Sequence, residues 1–237
     1  MDLSRARREP GVAIPESPVV QAYRELLEQL DQWFQSARDQ FPGVIPCRPG
    51  CAACCHGPFD ISTADVLLVR AGVQALPHEQ QRAVRQRAAA LVTRMREAEP
   101  GWDGGAIGDI GEDRFDALAD RLADAPCPCL DEDGACLIYQ YRPLVCRTMG
   151  LSMQTRGDRI IENACPIQNE FPGYAGLAAQ PFGLESLEDV ESACLEAASM
   201  QLFGSPLRTD YETTIAAAIT YPHESHEIPR KPRTGIP

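Results

Sequence analysis

Four cysteines crowd into nine residues at Cys47-Arg-Pro-Gly-Cys51-Ala-Ala-Cys54-Cys55. Further along come Cys127-Pro-Cys129-Leu, Cys136-Leu-Ile-Tyr139, Arg142-Pro143-Leu-Val-Cys146-Arg147 and Cys165-Pro166. Thiolates gathered this closely repel one another unless a cation neutralises them, and soft sulfur donors suit zinc, copper(I) or iron–sulfur clusters. Positions 51, 54 and 55 are spaced i, i+3, i+4, which on a helix would put three thiols on one face. Pro49-Gly50 is a poor helix interior, so Cys47 is expected to approach from the preceding loop. The second group lies in segments rich in Pro and Gly, where a backbone can fold tightly around an ion.

Taken together, these motifs resemble the YkgJ-type cysteine-cluster family, whose members are described as zinc- or iron-chelating or iron–sulfur proteins. The residues that carry the resemblance are Cys-x3-Cys-x2-Cys-Cys, then Cys-Pro-x-Leu, Cys-x-Ile-Tyr, Arg-Pro-x-x-Cys-Arg and a last cysteine. It spans Cys47 to Cys165 and implies metal ligation by Cys47, Cys51, Cys54, Cys55, Cys127, Cys136, Cys146 and Cys165. Cys129 stands where the family has an apolar residue, which leaves it outside that set. A related cluster occurs in flagellin lysine methylases, so the resemblance also admits a cluster-containing enzyme.

Eight thiolates exceed the four that one tetrahedral zinc or one four-iron cluster takes. Either some are structural or the chain holds two sites. All-sulfur ligation without paired histidines argues against a hydrolytic zinc site. The soft donors and the resemblance favour a 4Fe-4S iron–sulfur cluster in an electron-transfer or cluster-dependent role. The alternative is zinc in a structural or interaction module without catalysis. Cys-x3-Cys-x2-Cys also occurs in radical-SAM enzymes, but their barrel demands alternating strands and helices that this chain lacks.

Arg142 and Arg147 flank Cys146 and are candidates to bind the cofactor by compensating sulfur charge. The competing expectation is an ion pair with an acid such as Asp131 or Glu132. Cys194 falls in a helical pattern with Leu187, Val190, Leu195 and Ala198 and reads as core. His56 abuts the cysteine pair but sits beside Gly57-Pro58 and reads as a loop residue. Asp65 reads as an acid in the first turn of a helix, where negative charge is favoured.

The net charge is −12. That field opposes nucleic acid and anionic membranes, and the basic clusters at Arg5–Arg8 and Arg230–Arg233 are confined to the ends. Glu9, Pro10 and Pro15 interrupt any secretory apolar stretch, and no apolar run is long enough to cross a bilayer. A cytoplasmic protein is expected, and there dense cysteine points to metal more than to disulfides. The implied partner is a metal ion or cluster, with any protein partner unidentified.

The elements that must hold these loops read as mostly α. The fold expected is a small helical domain with irregular cysteine-rich metal-binding loops. Ser17 as N-cap and Pro18 at the first position open a helix with Val20, Tyr23, Leu26, Leu27, Leu30 and Phe34 on one stripe, ending by Phe41-Pro42-Gly43. Others are expected from Ser62 or Thr63 to a stop at Gly72, over 77–98, over 112–124, over 186–203 and over 210–221. A helical turn is expected after Arg142-Pro143. The turn tetrad Asp131-Glu132-Asp133-Gly134 and a hairpin tip at Arg156-Gly157-Asp158-Arg159 interrupt the loops. In domain terms, 17–180 carries the cysteine cluster and 181–221 is a helical extension. Residues 1–16 and 222–237 are expected to be disordered.

Overall fold

The computed structural model describes residues 17–47, 50–155, 159–163, 165–182 and 185–221, without the side chains of 183–189. The expected disordered ends and the 156–158 hairpin tip lie outside the described residues. The fold is mostly α, as the sequence predicts, with eight helices and a few very short strands among the described residues.

Helix α1 (Pro18–Gln40) starts where expected. The Ser17 hydroxyl accepts from the Val20 amide at 3.3 Å, and the stripe Val20, Tyr23, Leu26, Leu27, Leu30 and Ala37 is buried. Strand β1 (Asp60–Ser62) leads into α2 (Thr63–Gln74). A capping box holds the start of α2: the Ser62 hydroxyl meets the Asp65 amide, and the Asp65 carboxylate accepts from the Ser62 amide. Such reciprocal capping satisfies two backbone donors that a helix otherwise leaves open. Every residue of α2 from Thr63 to Val69 is buried, which makes it the central helix.

Around it stand α3 (His78–Ala98) and α4 (Glu112–Arg121), the short α5 (Leu144–Thr148), β2 (Met153–Gln154) and β3 (Ile160–Ile161). The one-turn α6 (Pro172–Ala175) and β4 (Gln180–Pro181) follow, then α7 (Glu185–Phe203), β5 (Glu212–Thr214) and α8 (Ile215–Thr220). Helix α2 touches α1, α7 and α8, while α3 packs along α8 and α7 along α1. Residues from α1 to α8 share one main core that includes Leu27, Leu68, Met95, Leu118, Cys194 and Ala218. Cys194 is therefore a core residue, as its helical pattern predicts. Glu99, paired with Arg114 and Arg121, ties the end of α3 to α4.

Three expectations change. The helix expected over 210–221 begins only at Ile215. Glu212–Thr214 is instead extended and pairs antiparallel with Asp60–Ser62, in the register Ile61 to Thr213. Thr213-Thr214 suits a strand, and the Thr214 hydroxyl then caps α8 by accepting from the Ala217 amide at 3.2 Å. Helix α4 ends at Arg121 rather than Asp124. Gly72 does not stop α2, which runs on to Gln74. A Cβ at Gly72 would come within 2.6 Å of Tyr141 Cβ and 3.1 Å of Ile138 Cβ. The glycine thus permits close approach of the 138–141 turn, which leads to Cys146. The expected hairpin is present in its strands: Met153 pairs with Ile161 and Gln154 with Ile160, and β4 adds parallel to β2.

Gly72→Ala is expected to lower stability by about 1–3 kcal/mol through overpacking against Tyr141, read as a shifted denaturation midpoint. An unchanged midpoint would mean that the 138–141 turn is not held against α2.

Candidate metal centre

No helix forms over Cys51–Cys55. The chain makes a turn, with the Cys55 amide donating to the Ala52 carbonyl at 2.9 Å, and then extends. The extended piece pairs with the second cysteine segment at a bridge between His56 and Pro126. Flanking that bridge, the Cys127 amide donates to the Cys55 carbonyl at 2.9 Å and the Gly57 amide to the Ala125 carbonyl at 2.7 Å. These competing backbone partners explain why the helical spacing of positions 51, 54 and 55 is not used. A second small ladder, bridged at Leu130 and Cys136, closes over the expected Asp131–Gly134 turn. There the Asp131 carboxylate accepts from the Asp133 and Ala135 amides at 3.0 and 2.7 Å.

Arg87 of α3 anchors the 127–129 loop by donating to the Pro128 carbonyl at 2.9 Å. Cys146 rides on α5, whose first turn is held by Asp65: its carboxylate accepts from the Leu144 amide at 3.0 Å and from the Tyr23 hydroxyl at 3.1 Å. Burial pushes the Asp65 carboxyl upward, and the donors from Leu144, Ser62 and Tyr23 oppose that push. Cys165 is held by a different device. Its amide donates to the Gln168 side chain at 3.2 Å, and the Gln168 amide group donates to the Tyr174 carbonyl at 3.2 Å. The Tyr174 hydroxyl lies in hydrogen-bonding reach of both the Gly150 carbonyl and the Cys165 sulfur. Gly150 has φ +92°, a conformation that side chains other than glycine's rarely adopt, and a Cβ there would lie 3.4 Å from Cys165 Cβ.

None of the ten cysteines is in a disulfide. Cys47, Cys51, Cys54, Cys55, Cys127, Cys136 and Cys146 are half-buried, and Cys165 is buried. Cys47 has the thiols of Cys165, Cys51 and Cys54 as electrostatic neighbours, while Cys146 has those of Cys127 and Cys136. The thiols of Cys54 and Cys55 are hydrogen-bonded, and so are those of Cys127 and Cys129. Among the described residues, no three His, Cys, Asp or Glu side chains are grouped closely enough to hold a metal ion. His56 is exposed, with its Nδ1 3.1 Å from the Ala52 carbonyl oxygen.

Arg147 is only 5% exposed. It pairs with Asp31 of α1 and donates to the carbonyls of Arg142 and Gln140, both at 3.0 Å. Arg142 also reaches Asp31, at 3.2 Å, and lies 3.8 Å over the Tyr139 ring. The acid that receives both arginines is thus Asp31, not Asp131 or Glu132. Arg142 remains an electrostatic neighbour of Cys54, Cys136 and Cys146. Sequence reasoning missed Asp31, Arg87 and Tyr174. Asp31 and Arg87 lie far along the chain from the thiols they support, and no local pattern marks them or Tyr174, which follows Cys165 more closely.

Residues 46–166 match the family model CxxCxxCC, described as "Putative zinc- or iron-chelating domain". The chain belongs to this family, and metal binding through cysteines is the property it carries. No curated protein and no solved structure matches. The chemistry of the donors suits such a group: they are soft sulfurs, all but Cys165 half-buried, with the Arg142 guanidinium as an electrostatic neighbour of three of them. No helix among the described residues is long and apolar enough to cross a membrane.

Burial, with the charge of neighbouring thiols, pushes Cys47 up to about 11. Cys136 is likewise pushed up to about 11, chiefly by burial. Both are neutral thiols near pH 7, so a metal must displace their protons. Metal affinity is expected to rise with pH between about 6 and about 8, by about tenfold per unit for each thiol ionised on binding. Competition titrations with a chelator, corrected for the chelator's own protonation, check this; a flat profile would mean the metal does not bind protonated thiols.

Proposed function

We propose that this protein holds a 4Fe-4S iron–sulfur cluster through cysteine thiolates drawn from Cys47, Cys51, Cys54, Cys55, Cys127, Cys136, Cys146 and Cys165, and that it serves electron transfer or a cluster-dependent process. The observation that carries this reading is the donor set: sulfur from two loop systems gathers at half-buried positions while the nearby His56 faces solvent. Sulfur-only ligation is the habit of iron–sulfur clusters, whereas hydrolytic zinc sites mix in histidine and keep a water. Such a cluster, once bound, supplies one-electron redox chemistry. Arg142 is suited to offset the anionic charge that thiolates and cluster bring, and Arg147 to hold the Arg142–Cys146 segment in shape through Asp31.

A zinc-binding structural or interaction module is the second reading, supported by the family description, which names zinc and iron alike. A cluster-containing enzyme related to protein lysine methylases is the third. Two surface hollows lie along α3 from His78 to Ala89 and between Ile107–Arg114 and Asp210–Glu212, and no cysteine lines either. The enzymatic reading therefore draws no support from them. The reduced thiols suit the cytoplasm, and the charge of −12 suits a protein that does not bind nucleic acid.

Protein purified without oxygen is expected to be brown and to contain iron and acid-labile sulfide in equal amounts. Colourless protein with stoichiometric zinc, unchanged after anaerobic reconstitution with iron and sulfide, would overturn the cluster in favour of the zinc module.

A further inference from the structure

Cys129 has no part in the function proposed above, yet its sulfur has a close partner. It lies in the main core, 1% exposed. The Leu130 amide donates to the Cys127 carbonyl at 3.1 Å, which closes a β-turn over Cys127-Pro128-Cys129-Leu130. Pro128 takes the second position of that turn, where its fixed φ is favoured. The turn is held from outside at two carbonyls: Arg87 of α3 donates to that of Pro128, and the Leu137 amide to that of Cys129, both at 2.9 Å. Inside the turn, the Cys127 sulfur accepts from the Cys129 thiol and from the Cys129 amide, and has the Arg87 guanidinium as an electrostatic neighbour.

Two pairs of thiols are hydrogen-bonded, Cys54 with Cys55 and Cys127 with Cys129. The first pair is too close along the chain for its sulfurs to join without distortion. A disulfide asks for Cα atoms about 4.4–6.8 Å apart, whereas neighbours across a trans peptide are about 3.8 Å apart. Residues two apart reach at most about 7 Å when extended and come closer in a turn, which suits Cys127 and Cys129 to that range. Their sulfurs already touch through a hydrogen bond, so the bond needs little movement of the backbone. Cys136 and Cys146 are further neighbours of Cys129 and are the competing partners.

We propose that Cys127 and Cys129 form a reversible disulfide when the reduced, metal-free chain meets a low-molecular-weight disulfide, and that this bond gates metal uptake. Cys127 is half-buried and Cys129 buried, so Cys127 is the sulfur that the oxidant reaches. The Cys127 sulfur attacks one sulfur of the small disulfide, whose S–S bond breaks, and the first small thiol leaves with the Cys127 proton. The Cys129 sulfur then attacks Cys127 in the mixed disulfide, and the second small thiol leaves with the Cys129 proton. Two protein thiols are thereby oxidised and one small disulfide is reduced to two thiols. Cys129 serves as the resolving cysteine that a reversible thiol sensor requires beside the reacting one. The bond withdraws Cys127 from the candidate metal donors; that consequence, unlike the bond itself, rests on the proposed ligand role of Cys127.

The experiment treats the full chain, reduced and freed of metal by a chelator without oxygen, with glutathione disulfide; free thiols are counted and bonds mapped by mass spectrometry. Two of the ten thiols are expected to be lost, in one bond between Cys127 and Cys129 that dithiothreitol reverses. Cys129→Ser and Cys129→Ala are expected to stop at a glutathione adduct on Cys127, and Cys136→Ser/Cys146→Ser to form the bond as the wild type does. A bond from Cys127 to Cys136 or Cys146 would overturn the proposal. So would ten thiols left free under a glutathione poise that oxidises the dithiol of protein disulfide isomerase. If the Cys129 variants fail to fold, the wild-type map decides. The oxidised chain is expected to bind metal at least about tenfold more weakly than the reduced one, since even losing a partner of a ligand costs that much. Equal affinity would overturn the gate and leave the bond standing. No metal on either form would overturn the ligand reading, and the gate with it, but not the bond.

Discussion

Asp65 is a carboxylate buried at the junction of three helices, and the placement of the second cysteine loop depends on it. Burying a charge is unfavourable unless donors surround it. Here the donors are the Tyr23 hydroxyl of α1, the Ser62 amide and hydroxyl at the head of α2, and the Leu144 amide that opens α5. Each donor belongs to a different part of the chain, so satisfying one side chain draws the three parts together. Cys146 lies two residues beyond Leu144 and therefore takes its position from the capping of a helix that began some eighty residues earlier. The arginines reinforce this from the other side, since Asp31 of α1 receives both Arg142 and Arg147.

The remaining thiols are positioned by backbone pairing too short to count as sheet. The Cys55–Cys127 and Leu130–Cys136 ladders each involve only a few residues, yet each determines the side on which a sulfur emerges. Arg87 fastens the loop between them to α3. Cys165 stands apart, on a subsidiary core closed by Tyr174 and Leu151 and joined to α1 through Ala37. Cys127, Cys136 and Cys146 thus pack on the main core, and Cys47 and Cys165 on the lesser one.

Much of this was legible from residue types. The caps at Ser17 and Ser62, the apolar stripe of α1, the Asp131–Gly134 turn and the core role of Cys194 all follow from local rules that the fold obeys. Family membership followed from motif spacing alone. Three misreadings share one cause, which is that tertiary partners outbid local preference. Positions 51, 54 and 55 have helical spacing, but the Cys127 amide captures the Cys55 carbonyl. Gly72 resembles a helix stop but is small so that Tyr141 can approach. Residues 212–214 continue an apparently helical run but pair with β1.

The sequence by itself determined membership of a zinc- or iron-chelating family and which cysteines from Cys47 to Cys165 are candidate ligands. Identity and spacing suffice for that, because soft sulfur donors at high local density have few other uses in a reduced chain. Only the tertiary structure decided which sulfurs are neighbours. Neighbourhood depends on long-range hydrogen bonds, such as Leu144 to Asp65 and Cys127 to Cys55, and on two cores that no local pattern announces. Cys47 and Cys165, more than a hundred residues apart, thus become neighbours on the lesser core.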